Sequence, residues 1–277
     1  MTRLMNRRPG RVSALLLTAL PFVLLVFAYQ SASSIRLAEN PQDRLLPAFS
    51  TMADAMKRMA IEPDRRTGER LLIADTKASL VRLASGVALG ALFGLLVGVL
   101  AGLLPTAGSA LSPFLAAFAM VPPLSILPIL FITLGIDELS KIVLIAIGVG
   151  PFIARDLEAR VRELPTEELI KAQTLGAGSW LTLWRIVLPQ MLPRLLDAIR
   201  LSLGAAWLFL IAAEAIAATE GLGYRIFLVR RYLAMDIILP YVLCITALAW
   251  LTDFAVRRLS RLLFPWYALQ VEPGRNA

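Results

Sequence analysis

Histidine is absent from the 277 residues, and cysteine occurs once, at Cys244. An intrachain disulfide is therefore impossible, and the usual zinc, haem and Cys-His catalytic constellations cannot be assembled. The chain also lacks a Gly-x-x-x-x-Gly-Lys-Ser/Thr phosphate loop, clustered acids of the Asp-Asp-x-x-Asp kind and a nucleophile elbow, which argues against a polytopic membrane enzyme. Charge is missing over long stretches: none lies between Arg82 and Asp137, a run of 54 residues. At 1.5 Å per residue that run is long enough for two crossings of a hydrocarbon core about 30 Å thick.

What is present fits a membrane protein. Hydrophobic residues make up 58% of the chain, and the mean hydropathy is +0.71, outside the range of soluble globular domains. The fold class expected is an all-α polytopic membrane protein of about six helices, drawn at residues 12–29, 80–104, 110–134, 138–156, 199–219 and 237–256, with a turn at Leu104-Pro105-Thr106-Ala107-Gly108-Ser109. The tail 1–11 carries Arg3, Arg7, Arg8 and Arg11 with no acid, and Arg257, Arg258 and Arg261 follow the last span. The positive-inside rule then puts both termini in the cytoplasm. A secretory signal also starts basic and then apolar, but this apolar run is long for one, and Phe27-Ala28-Tyr29-Gln30 offers no small-x-small cleavage site.

The later spans are short between charges: 13 uncharged residues between Lys141 and Arg155, 13 between Arg200 and Glu214, and 16 between Asp236 and Asp253. Such helices face a bundle interior, a partner or a water-filled cavity, the places where polar groups are tolerated at depth. Glu214, drawn inside the fifth span, reads as a pathway or gate residue, or as a structural acid satisfied by a neighbouring helix. Pro122, Pro123 and Pro128 either line a pathway or bend the third span, with bending the preferred reading. Gly86, Gly90, Gly94, Gly98 and Gly102 recur every four residues, a ladder for close helix packing. The external segment 30–73 holds an amphipathic stretch at 41–61 with Leu45, Leu46, Phe49, Met52, Met56 and Met59, expected as a helix on the outer surface that anchors at the interface or receives a binding protein. The net charge of +8 is spread over loops and termini without aromatic interleaving, a pattern of membrane-surface and subunit contacts rather than nucleic-acid binding.

Residues 154–198 form a polar island with six basic and six acidic side chains, too costly to sit in hydrocarbon. In it, Leu164-Pro165-Thr166-Glu167-Glu168 marks a helix start with Thr166 as cap and two acids at the positive dipole end, and Gly176 marks its stop. A helix of about nine residues is unstable alone in water and needs a surface to pack on. Leu169, Ala172 and Gly176 share one face, Ile170 and Leu175 widen it, and Glu167, Glu168, Lys171 and Gln173 ring it. A second short helix is expected from Ser179, with Trp180, Leu183, Trp184 and Val187 on one face and Pro189 and Pro193 closing it. Two interfacial helices pinning a loop is the plain reading of this pattern.

The island resembles the cytoplasmic EAA loop of permease subunits of binding-protein-dependent ABC importers, in which a glycine is followed ten residues later by Ile-x-Leu-Pro; Gly176, Ile186, Leu188 and Pro189 meet that spacing. The runs Lys171-Ala172-Gln173-Thr174-Leu175-Gly176-Ala177, Ala206-Trp207-Leu208, Ala213-Glu214 and Gly221-Leu222-Gly223-Tyr224 are similar to the nitrate, sulfonate, taurine and bicarbonate branch, and the likeness extends over residues 74–260, including Val121-Pro122-Pro123-Leu124 and Gly135-Ile136. One departure stands out: in gapless register the family's Glu-Ala-Ala falls on Ile170, Lys171 and Ala172, with Glu167 and Glu168 lying upstream. The resemblance implies a type I importer permease domain at 74–260, a cytoplasmic tail at 261–277 and an inner-membrane location. It implies that Thr166 to Ala177 couples to an ATP-binding subunit, with Ile186, Leu188 and Pro189 as loop framework. The chain itself would bind no cofactor, ATP being used by that partner. The other implied partners are an external solute-binding protein, periplasmic or lipid-anchored, and a second permease copy in a homodimer. The implied cargo is a small solute such as a sulfonate, nitrate, taurine or bicarbonate, while related branches carry nitrogen compounds or vitamin precursors. A secondary transporter driven by an ion gradient is the alternative, and it predicts internal repeats and paired intramembrane ionisable residues.

Overall fold

The computed structural model of the chain describes residues 10–41, 43–64 and 68–267. Arg3, Arg7 and Arg8 of the first tail and residues 268–277 of the last lie outside the described residues. All regular structure among the described residues is helical: α1 (Arg11–Glu39), α2 (Phe49–Ile61), α3 (Leu71–Leu103), α4 (Pro105–Phe118), α5 (Pro123–Leu134), α6 (Glu138–Arg162), α7 (Thr166–Thr174), α8 (Ser179–Thr182), a π turn (Leu183–Val187), α9 (Leu188–Ala217), α10 (Leu222–Val229), a 3-10 turn (Arg230–Tyr232) and α11 (Met235–Leu263).

The centre of the bundle is the parallel pair α3 and α6, which pack along nearly their whole length, and the glycine ladder is the reason. A Cβ on Gly86 would stand 2.6 Å from Ile145, one on Gly90 2.6 Å from Val149, one on Gly94 2.5 Å from Ile153, one on Gly98 2.4 Å from the Ala154 carbonyl oxygen and one on Gly102 2.6 Å from Val161. Each is closer than any real Cβ contact, so only glycine lets β-branched side chains of α6 seat against the α3 backbone. Leu144, Ile145, Val149, Ile153 and Leu157 are accordingly buried, and α9 closes the core with Met191, Ala206 and Leu210.

Four helical stretches are long and apolar enough to cross a membrane: α1, α3, the run Ser179–Ala217 and α11. The span drawn at 110–134 is not one helix. α4 and α5 meet at a bend of 95°, because the consecutive Pro122 and Pro123 remove two backbone donors and Pro122, preceding a second proline, is held extended at ψ 117°. The prolines therefore break this segment rather than bend it. The helix drawn at 138–156 runs on to Arg162, so the first residues of the polar island are its last two turns. α1 likewise continues past residue 29 to Glu39.

The amphipathic helix expected over 41–61 forms only at Phe49–Ile61; Pro47 and the Asp43–Leu45 turn, where the Asp43 carboxylate accepts from the Leu45 amide at 2.9 Å, hold the residues before it out of helix. It packs on α11 and α3, burying Met52 and Ala55, so part of its apolar face is already used inside the chain. α1 stands apart from the bundle. None of its most apolar stretch is buried, and its attachment is the link before α2: Tyr29 Oη donates to the Pro47 carbonyl at 2.7 Å and Ser33 Oγ to that of Leu46 at 2.9 Å.

Candidate functional site

The two ends of the bundle carry different chemistry. At one end lies α7. Pro165, not Thr166, is its N-cap, and no side chain caps it; Thr166 is the first helical residue, and Glu167 and Glu168 in the first turn supply the charge complement to the dipole instead. The helix stops as the residues suggest. Gly176 adopts φ +82°, the Gly176 amide donates to the Gln173 carbonyl at 2.9 Å and the Ala177 amide to that of Ala172 at 2.9 Å, which is the paired-bond C-terminus that glycine favours.

The packing of α7 differs from the single face drawn for it. Ala172 is buried and Leu169 is half-buried against the core of its own chain. Ile170 is 53% and Leu175 88% exposed, so these two apolar side chains, with the acids and Lys171 around them, form the outward surface. Gln190 Nε2 ties the helix to α9 by donating to Glu168 Oε2 at 3.0 Å, and Arg194 reaches Glu163 at 3.4 Å. The C-terminal turn sits at this same end, where Tyr267 Oη donates to Asp197 Oδ2 at 2.9 Å. Burial and then the Asp197 carboxylate hold the Tyr267 hydroxyl above the ordinary phenol range, so it remains a donor at neutral pH.

Beyond Gly176 the short helix expected at Ser179 does not end at Pro189. It continues through the π turn into α9 as one 39-residue stretch, Ser179–Ala217. In the π turn the Leu188 amide reaches back five residues to the Leu183 carbonyl, and widening the helix there accommodates Pro189, whose ring would clash with a regular preceding turn. The extra residue also rotates the face. Trp180 and Trp184 stay exposed and meet edge to face at 5.7 Å, while Thr182 and Val187 turn inward, so the expected single face is split. Ile186 and Leu188 are half-buried, and Pro189 is exposed.

The other end is an ion network. Glu214 is fully buried and lies within one turn of the end of α9, not deep in the span as drawn. Its Oε1 accepts from Ser79 Oγ at 2.7 Å and from Arg82 Nη1 at 2.8 Å, and its Oε2 from the Gly223 amide at 2.9 Å. Arg82, also buried, forks to Glu138 of α6 through Nε and Nη2, and Nη1 also donates to the Glu220 carbonyl at 2.8 Å. Beside them Asp75, 0% exposed, accepts from the Gly221 amide at 3.0 Å, from Arg225 Nε at 2.8 Å and from Tyr241 Oη at 3.1 Å. Buried charges survive when paired and fully hydrogen-bonded, and among the described residues no buried side-chain polar atom lacks a partner. The network locks α3, α6, α9, α10 and α11 together, so of the two readings of Glu214 the geometry favours the structural acid.

Sequence reasoning passed over Asp75, Arg82, Arg225 and Tyr241. A signal was available: Asp75, Ser79 and Arg82 are spaced four and three apart, a polar stripe down one face of α3. Among the described residues no cluster suited to a metal ion occurs.

A helical membrane bundle rigidly bonded at one end, and presenting at the other a short helix with uncovered apolar side chains, is a transport subunit of the type I ABC importer permease fold. A family model described as "Binding-protein-dependent transport system inner membrane component" matches residues 90–268, and the chain belongs to this family. It is 38% identical to the taurine transport system permease protein TauC of Escherichia coli K12 over 69% of each chain. It is 33% identical to a putative aliphatic sulfonates transport permease protein, SsuC, of Bacillus subtilis 168 over 70% of this chain and 71% of that one. It is 28% identical to the bicarbonate transport system permease protein CmpB of Synechocystis over 94% and 91%. Among solved structures, a chain of the MetNI methionine ABC transporter in an inward-facing conformation superposes with a TM-score of 0.59 at 24% identity, covering 67% of this chain and 93% of that one, a likeness of fold. The family is a translocation component of the inner membrane rather than a catalyst, and it works with a solute-binding protein and an ATP-binding subunit.

Proposed function

We propose that this chain is the permease of an importer for small oxyanion solutes of the sulfonate and taurine kind, acting as one half of a homodimer, with α7 seated on the ATP-binding subunit and both termini on the cytoplasmic side. The observation that carries the coupling role is α7 itself: nine residues long, braced from behind by Leu169 and Ala172, with Ile170 and Leu175 uncovered. A helix this short persists only when packed, and its outward surface is apolar with a charged rim, as in a docking contact. The cargo class is supported by the taurine and sulfonate relatives. A second copy is supported by α5, which beyond the 95° bend turns Ile129 and Ile132 outward at 58% and 84% exposure. The turn ending at Tyr267 shares its end of the bundle with α7 through the Tyr267–Asp197 bond, so an α7 that meets a cytoplasmic ATPase brings that turn to the same side, in agreement with Arg257, Arg258 and Arg261.

The test is a pair of substitutions at Gly176. A Cβ there meets nothing within 4 Å, so the interior is not crowded, and the cost common to both substitutions is the left-handed backbone at φ +82°. Gly176→Asn, which tolerates the left-handed conformation, should keep most uptake and co-purification with the ATPase. Gly176→Trp should leave the amount of subunit in the membrane nearly unchanged but lower both by about tenfold or more, the equivalent of at least ~1.4 kcal/mol of lost docking. Normal uptake by the tryptophan variant contradicts the coupling assignment.

A further inference from the structure

A cavity of 380 Å³ opens between the α4–α5 break and the outward face of α6. Phe118, Val121 and Phe152 make its apolar walls, and Arg155 and Asp156 supply its charges. Asp156 lies 3.6 Å from Arg160 and is thereby partly engaged, whereas Arg155 has no hydrogen-bond or ion-pair partner among the described residues. Pro123, the first residue of α5, also lines the cavity, so the positive end of that helix dipole adds to the Arg155 charge. The volume falls at the small end of ligand pockets. Arg155 follows Glu138 by 17 residues on α6, which puts it about 26 Å along the helix from the ion network and toward the α7 end.

We propose that this cavity is a way station for the cargo, in which Arg155 holds the anionic head of a small organic oxyanion while a short tail lies against Phe118 and Phe152. An arginine that only anchored the helix at the water boundary would need no cavity beside it and no vacant donors. The guanidinium fork suits a sulfonate or carboxylate head, which accepts two parallel N–H bonds. With the Asp156 carboxylate paired to Arg160 at 3.6 Å, the Arg155 guanidinium is the charge left to the cavity, and with two aromatic walls it discriminates against neutral polar solutes, which gain little from the charge, and against cations, which it repels. The assignment rests on the reading of the chain as an oxyanion permease.

The experiment separates the two claims. In the complex with its ATPase, embedded in lipid nanodiscs and carrying Cys244→Ser, Phe152→Cys places one thiol in the cavity. Its reaction rates with the anionic 2-sulfonatoethyl and the cationic 2-trimethylammonioethyl methanethiosulfonates are each divided by that reagent's rate with a free thiol in solution. With Arg155 present the normalised ratio should favour the anion by on the order of tenfold, the effect of one unit charge a few ångströms away at an effective dielectric between protein and water. Adding Arg155→Gln should remove most of that preference and Arg155→Lys should keep it. A ratio unmoved by Arg155→Gln overturns the proposal. Val121→Cys, also on a half-exposed wall, serves as the second position should the first variant fail to assemble. In parallel, uptake of radiolabelled taurine by the complete system should fall at least tenfold in Arg155→Gln and recover in part in Arg155→Lys. Normal uptake in Arg155→Gln also overturns it. Should the wild-type complex carry no sulfonate at all, the cargo reading fails, and the thiol ratio still decides whether the cavity selects anions.

Discussion

Replacing Glu214 by glutamine is the sharpest probe of what the ion network contributes. The carboxylate accepts from three donors, Ser79 Oγ, Arg82 Nη1 and the Gly223 amide. A glutamine of the same shape offers one acceptor oxygen and turns an NH2 group toward at least one of those donors, so a buried donor loses its bond at a cost of about 1–3 kcal/mol. Arg82 also loses its buried counter-charge but keeps Glu138, so the loss falls short of the roughly 3–5 kcal/mol of an orphaned buried charge. A total near 3 kcal/mol is expected, lowering the melting temperature by roughly 10 °C. Glu138→Gln is the control. Its side chain is 57% exposed, water screens the pair, and the cost should be at most about 1 kcal/mol. The double variant Arg82→Gln with Glu214→Gln should lose less than the two single losses summed, since each single change already leaves the other group without its partner. Melting can be followed with a thiol-reactive fluorogenic dye, since Cys244, the lone cysteine, is only partly accessible in the folded chain. Uptake by surviving Glu214→Gln protein should be close to normal at low temperature. A variant that melts like the wild type yet transports slowly would refute the structural role and restore the gate reading.

Gly94→Leu should destabilise the bundle by at least about 2 kcal/mol, because a Cβ there already meets Ile153 at 2.5 Å and the Ala154 amide nitrogen at 3.1 Å. Gly204→Leu, on α9 with nothing within 4 Å, should fall within about 0.5 kcal/mol of wild type, and equal losses in the two would refute the close packing of α3 on α6. Gly221→Ala introduces a Cβ 2.5 Å from the Glu214 carboxyl carbon at φ +128°, so it should lower the melting temperature about as much as Glu214→Gln without removing any charge. Additive losses on combining these two changes would show that they do not act through one network.

Features governed by local chemistry were legible in the sequence. The bounds of α7 followed from Pro165, the two acids and Gly176, and the close packing of α3 followed from a four-residue glycine period that few other arrangements require, although that period did not name α6 as the partner. What escaped depends on residues far apart in the chain. Arg82 reads as the charged edge of a span until Glu214, 132 positions away, is seen to neutralise it. Pro122 and Pro123 signalled a disturbance but not its size, since a bend and a break use the same missing donors and tertiary packing decides between them. The π turn was hidden for a similar reason: Pro189 reads as a stop, and only the burial of Val187 and Met191 shows that the helix gains by absorbing it. In α7 the apolar side chains were recognised, but which of them face inward was set by core residues outside the island.

The central claim is that this chain carries solute only when an ATP-binding subunit drives it. The most direct measurement is uptake into proteoliposomes holding the permease, its ATP-binding subunit and its solute-binding protein, with ATP enclosed and each component omitted in turn. The phosphate loop needed to use ATP is absent from the chain and the α7 surface is incomplete without a partner. Uptake should therefore require all three proteins and ATP, and the permease alone should neither hydrolyse ATP nor accumulate solute. Accumulation by the permease alone under an ion gradient, without ATP, would contradict the account.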